Sequence, residues 1–182
     1  FDIVAGEREI DFIVNLEDTE EEVWFSPSKL ERILYNLLSN AFKYTQPGGY
    51  VKLSAKLIKE EKGTFVQISV KDNGRGIPKE AQEQIFESYY QVEKRDHREG
   101  FGLGLSLTRS LIHMHKGEIR VESEINKGSD FIVTLNVSED AYNPDERSSE
   151  NITTEEIQKY NLRMKETIEP VSYTHLRAHE TS

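Results

Sequence analysis

The chain has no cysteine, which excludes disulfides, thiolate metal sites and a cysteine nucleophile and fits a reducing compartment. It also lacks any apolar run long enough to cross a bilayer, and its start shows no basic-then-apolar signal pattern, so the sequence reads as a soluble, non-membrane-spanning fragment. Positive charge is scarce: 23 Lys and Arg face 33 Asp and Glu, a formal net charge of -10. That balance excludes nucleic acid as a partner, because gripping a phosphate backbone requires a basic face. It does not exclude a single nucleotide, since Mg²⁺ and a few local cations neutralise a triphosphate. There is no internal repeat. What is present, 182 residues with 36% hydrophobic content, suffices for one well-filled core with a tail and is too little for two ordinary domains.

The hydrophobic pattern alternates between strand and helix periods. Residues 9–16, with Ile10, Phe12 and Val14 against polar neighbours, predict a strand, and an acidic turn from Glu17 to Glu22 follows. Ser26-Pro27-Ser28 signals a helix start. Either serine can cap it, Pro27 suits the first helical position, and Ser28 with Glu31 has capping-box spacing. Leu30, Ile33, Leu34, Leu37, Leu38, Ala41 and Phe42 then keep a helical repeat to about Tyr44, and Pro47-Gly48-Gly49 ends it. Stretches 50–58 and 64–71 predict a hairpin. Pro78 opens a short helix ending near Phe86, and the aperiodic, charged residues 91–100 predict a mobile loop. Gly102-Leu103-Gly104 leads into a helix bearing Leu107, Leu111, Ile112 and Met114, with Gly117 as its stop, and strands 118–123 and 130–137 close the core. The expected organisation is a domain over 1–138, a polar linker over 139–171 with one marginal helix, and an appended tail over 172–182.

Three segments carry chemistry. On helix 27–44, Asn36, Asn40 and Lys43 are spaced to project on roughly one side, away from most of the Leu/Ile stripe. An asparagine carbonyl suits Mg²⁺, which wants hard oxygen donors, and Lys43 is long enough to reach a phosphate; the same residues also suit a plain solvated face. Asp72-Asn73-Gly74-Arg75-Gly76-Ile77-Pro78 stands at a strand end, where a carboxylate accepts from an exocyclic amine such as adenine's and glycines let backbone approach a flat ring. Asp-Asn-Gly is equally an ordinary turn. Gly100-Phe101-Gly102-Leu103-Gly104-Leu105, preceded by Lys94, Arg95 and Arg98, enters a helix whose free N–H groups favour phosphate. It is neither a P-loop nor a dinucleotide fingerprint, for no Gly-Lys-Ser/Thr follows it and no strand precedes it.

In this order the segments resemble the ATP-binding catalytic domain of sensor histidine kinases, part of the Bergerat superfamily. Asn36-Leu37-Leu38-Ser39-Asn40-Ala41-Phe42-Lys43-Tyr44-Thr45 resembles the family's asparagine box, and Asp72 to Ile77 its first glycine box. Ile85-Phe86-Glu87-Ser88-Tyr89-Tyr90-Gln91 resembles the phenylalanine box, and Gly100 to Leu105 the second glycine box. The resemblance covers roughly residues 8–137, and the phrasing around Trp24-Phe25 and Leu30-Glu31 is similar to hybrid two-component sensors of the Bacteroides type.

The resemblance implies an α+β fold, a two-layer sandwich with a mixed sheet of about five strands, about three helices on one face and a mobile ATP lid. It implies ATP and Mg²⁺ as cofactors. Asp72 would hold the adenine amine, Asn40 would ligate Mg²⁺ with Asn36 near the phosphates, Lys43 would contact phosphate and Tyr44 would line the nucleotide. Gly74, Gly76 and Ile77 would form the pocket wall. Arg98 in the lid would reach the γ-phosphate, Gly100, Gly102, Leu103, Gly104 and Leu105 would bring lid backbone to the phosphates, and Ser129 would join the adenine-site water network. Catalysis would be positioning and charge neutralisation of a transferring phosphoryl group, with Asn36, Lys43 and Arg98 as its groups. The acceptor would be a histidine on a dimerisation domain upstream in the same parent protein, and a response regulator would follow by phosphorelay. The location implied is cytoplasmic, as the inner part of a membrane-anchored sensor.

Two other enzymes share this fold by resemblance, hydrolysing ATPases of the gyrase and heat-shock type and serine/threonine kinases of the anti-sigma type. The hydrolases place a glutamate at the position of Asn36 to activate water, and an amide is no general base, which favours transfer over hydrolysis. The fuller phenylalanine box and the chain beyond Val137 weigh against the anti-sigma type. His97, His113 and His115 read as a lid residue and two helix C-terminal residues, and His175 and His179 fall in the tail.

Overall fold

The computed structural model describes residues 1–21, 23–87 and 104–142, so the lid, most of the phenylalanine box, the linker beyond Tyr142 and the tail lie outside the described residues. The chain runs α1 (Asp2–Glu7), β1 (Asp11–Leu16), α2 (Pro27–Tyr44), β2 (Tyr50–Glu60), β3 (Gly63–Asp72), α3 (Gly104–Met114), β4 (Glu118–Glu124) and β5 (Gly128–Asn136). The described residues also include 3-10 turns at Lys79–Ala81 and Gln84–Phe86, between β3 and α3, and at Glu139–Ala141 after β5. The sheet order is β1-β2-β3-β5-β4, with β1 parallel to β2 and every other pair antiparallel. α2 packs on β2 and β3, α3 packs on β4 and β5, and the two helices pack on each other.

The period-two alternation explains which face the helices cover. The register aligns Ala55, Ile68, Val133 and Ile119 in one row, and Leu53, Val70, Phe131 and Val121 in the next. These rows meet Ile33, Leu37, Leu38, Ala41 and Phe42 of α2 and Leu111 and Ile112 of α3, all buried. Burying each of the Leu, Ile and Phe side chains is worth about 1.5–3 kcal/mol. The reverse face carries Lys52, Lys71, Asp130 and Glu122, as alternation requires. At the β1 edge the Phe1 and Phe42 rings stack at 5.4 Å and Phe12 packs edge-on against both.

Several expectations need correction. α1 is missed because six residues with one buried side chain, Ala5, show no period. The strand predicted from residue 9 begins at Asp11, and beyond Phe12 its side chains are not buried: Val14 and Leu16 are exposed. The capping box does not form: Ser26 is the N-cap without a side-chain cap bond, and its hydroxyl pairs with that of Ser28 at 3.2 Å. The short helix expected after Pro78 is two 3-10 turns. Beyond Ser138 the chain still engages the core, because the Tyr142 hydroxyl donates to the Asn136 carbonyl at 2.5 Å and lies 3.0 Å from that of His115.

His115 is the buried junction of α3 with the start of α2. Its Nδ1 meets the Leu111 carbonyl at 3.0 Å and its Nε2 accepts from the Ser26 N–H at 3.4 Å, which fixes a neutral ring with the proton on Nδ1. Burial pushes its pKa down, opposed by the Leu111 carbonyl and assisted by the Lys29 charge. A depressed histidine pKa gives stability that is whole above the unfolded value of about 6.5 and is lost as pH falls towards the folded value. Denaturant titrations from pH 7 to 5 are expected to show a stability loss that His115→Gln makes shallower.

Candidate functional site

The polar site grows out of the apolar sheet face. One register step beyond Leu53, Val70, Phe131 and Val121, the same face carries Val51, Asp72, Ser129 and Ser123. The pattern thus places a carboxylate and two hydroxyls on the core side at the end of the sheet. Asp72 is 4% exposed, and its carboxylate accepts from the Gly74 N–H at 2.8 Å and from the Ser129 backbone N–H. Burial pushes its pKa up; the two N–H groups pull it down, and Asp130 adds to the rise.

The turn that carries Asp72 is braced on both sides. Ile77 N–H donates to Ser123 Oγ at 2.8 Å, Ser123 Oγ donates to the Gly128 carbonyl at 2.7 Å, and the two serine hydroxyls lie 3.1 Å apart. Gln82 Nε2 donates to the carbonyls of Ile77 and Ser123. Gly76, at φ 71°, lies where a Cβ would come within 2.0 Å of the Glu124 carbonyl oxygen, so the β4–β5 turn rests directly on backbone. On the other side Gly74 sits against the Tyr44 carbonyl, and the Arg75 N–H donates to that oxygen at 3.4 Å.

α2 joins this turn to the glycine-rich helix start. Tyr44, half-buried at its last position, has the Arg75 guanidinium 4.3 Å from its ring centre and the Lys43 ammonium at 5.2 Å. Asn40 is half-buried and makes no side-chain hydrogen bond among the described residues. Asn36 departs from the expected polar face: it is 5% exposed and turned towards α3, where its Nδ2 donates to Thr108 Oγ1 at 2.5 Å. Gly104 abuts the same amide, and Leu105 beside it is half-buried against the core. The structure therefore brings Asn36, Asn40, Lys43, Tyr44, Asp72, Gly74, Gly76, Ile77, Gly104, Leu105 and Ser129 into one connected region. Arg98, Gly100, Gly102 and Leu103 lie outside the described residues.

Thr108, Ser123, Gln82, Arg75 and Gly128 pack against or hydrogen-bond to these residues and position them, and sequence reasoning did not single them out. Ser123 had a legible signal, since it continues the Ile119, Val121 alternation with a hydroxyl. Gln82 and Thr108 had none. Among the described residues no group of three His, Cys, Asp or Glu forms a metal cluster, and no helix is long and apolar enough to cross a membrane.

Comparison with known proteins places this geometry. A family profile described as histidine kinase-, DNA gyrase B-, and HSP90-like ATPase matches residues 25–139, and the chain belongs to that family. The adaptive-response sensory kinase SasA of Synechococcus sp. (strain JA-2-3B'a(2-13)) is 39% identical over 134 residues, covering 74% of this chain and 34% of that protein. The chain thus spans about a third of that relative's length. Among solved structures, the catalytic domain of histidine kinase ThkA superposes with a TM-score of 0.64 at 28% identity, covering 75% of this chain and 85% of that one. Full-length ShkA in complex with AMPPNP gives 0.65 at 28% identity, over 75% of this chain and 27% of that one. The five-stranded mixed sheet with its helical layer is the fold of a histidine kinase catalytic domain.

Proposed function

We propose that this chain binds Mg-ATP and hands the γ-phosphoryl group to a histidine on a dimerisation domain of its parent protein, in two-component signalling. The observation that carries the reading is Asp72: a carboxylate on a residue only 4% exposed at the polar end of an apolar row, held by two backbone N–H groups. A buried carboxylate with acceptor capacity left over suits the amine of adenine and not the carbonyl that guanine has in its place. Ser129 and Ser123 supply hydroxyls beside it, and Tyr44 flanks the turn. SasA is a sensory kinase and ShkA was solved with an ATP analogue, which supports both halves of the proposal.

The donor set fits a magnesium ion. Asn40 carries an amide with no described partner, and Asn36 lies one turn before it, so neutral oxygens, nucleotide phosphates and water would complete the shell. Magnesium would neutralise the phosphates as charge moves in transfer. Lys43 and Arg98 would contact phosphate, and Gly100 to Leu105 would supply lid backbone. A histidine-bearing segment and then a response regulator would receive the phosphoryl group. The Asn36 amide supplies no general base, which favours transfer over the hydrolysis of gyrase-like relatives.

Titrating a non-hydrolysable ATP analogue with and without Mg²⁺ tests the pocket: saturable, Mg-strengthened binding is expected, and none in either condition would leave only a partner-binding module. Arg98→Ala is expected to keep most of the analogue affinity while slowing transfer about 100-fold, the scale of losing one transition-state donor. Equal losses of binding and transfer would contradict its role.

A further inference from the structure

We infer that Thr108 is a positioning residue whose hydroxyl locks the Asn36 side chain so that its amide oxygen, not its NH₂, faces the N-terminal turn of α3. The inference rests on the nucleotide reading above and adds to it a residue and a cation preference.

The hydrogen bonds run in one direction. Thr108 Oγ1 donates its single proton to the Gly104 carbonyl at 2.9 Å, so towards Asn36 it only accepts, and it takes the Nδ2 proton at 2.5 Å. Both partners are shielded, Thr108 at 1% and Asn36 at 5% exposure, so water does not compete for the bond. With Nδ2 committed, Oδ1 is the end of the amide nearest Gly104: a Cβ built on that glycine would lie 2.6 Å from Oδ1 and 3.2 Å from Nδ2. A side chain at residue 104 would push the amide out of place, so its glycine and Thr108 fix the same group from two sides.

The choice of end has chemical consequences. An amide NH₂ aimed at a triphosphate would attract bare phosphate oxygens. An amide oxygen repels them and attracts a hard cation or the waters around it. The first N–H groups of α3 already favour phosphate, so the oxygen of Asn36 complements them by favouring the ion that travels with it. Thr108 would therefore set how strongly nucleotide binding depends on Mg²⁺, without itself touching nucleotide or metal.

Two measurements test this. In the nucleotide-free protein, the Asn36 side-chain NH₂ protons should exchange slowly and Thr108→Val should make them exchange fast. Rapid exchange in the unaltered protein would overturn the inference whatever the chain binds. In analogue titrations, Thr108→Val should need about tenfold more Mg²⁺ for half-maximal binding, the usual scale for losing an outer-shell partner. Its Mg-free affinity should be unchanged, and Thr108→Ser should restore the original dependence. A Thr108→Val protein with unaltered Mg²⁺ dependence, or one whose Mg-free and Mg-bound affinities fall equally, would contradict the role. Failure of the unaltered protein to bind analogue at all would count against the nucleotide reading, while the exchange experiment would still decide the Asn36 lock.

Discussion

Asp72→Asn is expected to weaken ATP-analogue binding by about 10- to 100-fold, the equivalent of a hydrogen bond to a charged acceptor at about 1.5–3 kcal/mol. The carboxylate faces three donors in the proposed complex: the Gly74 N–H, the Ser129 N–H and the adenine amine. An asparagine offers one oxygen and sets an NH₂ against the remaining donor. Stability should move the other way from affinity. Burial raises the Asp72 pKa, so folding favours its protonated form, and the ionised carboxylate costs stability as pH rises from the ordinary carboxylate value through the folded one. A neutral amide removes that dependence. The variant is therefore expected to melt no earlier than the parent at neutral pH, and to lack the stabilising contribution that Asp72 protonation sets against the His115 loss on mild acidification. Calorimetric titration and thermal melts at pH 4 to 7 read both effects, and a variant that binds normally would contradict the adenine role.

Gly128→Ala is expected to lower stability by about 3 kcal/mol or more, combining a strained backbone with a hard clash, and to lower the melting temperature by roughly 6–12 °C. Gly128 sits at φ 103°, where an L side chain is strained, and its Cβ would lie 1.9 Å from the Asp72 carbonyl oxygen and 2.6 Å from Asn73 Cα. Relief requires the β4–β5 turn to lift off the Asp72 turn, so analogue affinity should fall with stability. Gly48→Ala is the matched control: it has φ 80° but nothing within 4 Å of the added Cβ. It should cost about 1 kcal/mol and leave binding alone. Melts and titrations on both proteins separate backbone strain from the contact between turns.

The sequence made some of this legible because the information was local. The α2 repeat from Leu30 to Phe42 and the Pro27 start give its bounds directly, and the alternation in β2, β3 and β5 gives the sheet face. The three polar segments are legible as chemistry for the same reason. Other features depend on partners far along the chain. Asn36 looks like a surface residue until Thr108, 72 positions away, is packed against it. His115 looks like a helix-end cation until Ser26 and Leu111 surround it and burial keeps it neutral. Gly128 looks like an ordinary hairpin glycine until the Asp72 backbone occupies the space of its missing side chain. The capping box failed for a local reason: the helix takes Ser26 as its N-cap, so Ser28 and Glu31 are out of capping register.

The most direct test of the central claim supplies a histidine-bearing two-helix dimerisation segment to this chain with Mg-ATP labelled at the γ-phosphate. Acid-labile label on the segment's histidine, reduced by Asp72→Asn at limiting ATP and accompanied by slow steady-state release of free phosphate, is the expected result. Fast release of free phosphate with no label on the segment would contradict transfer and make this chain a hydrolysing member of its family.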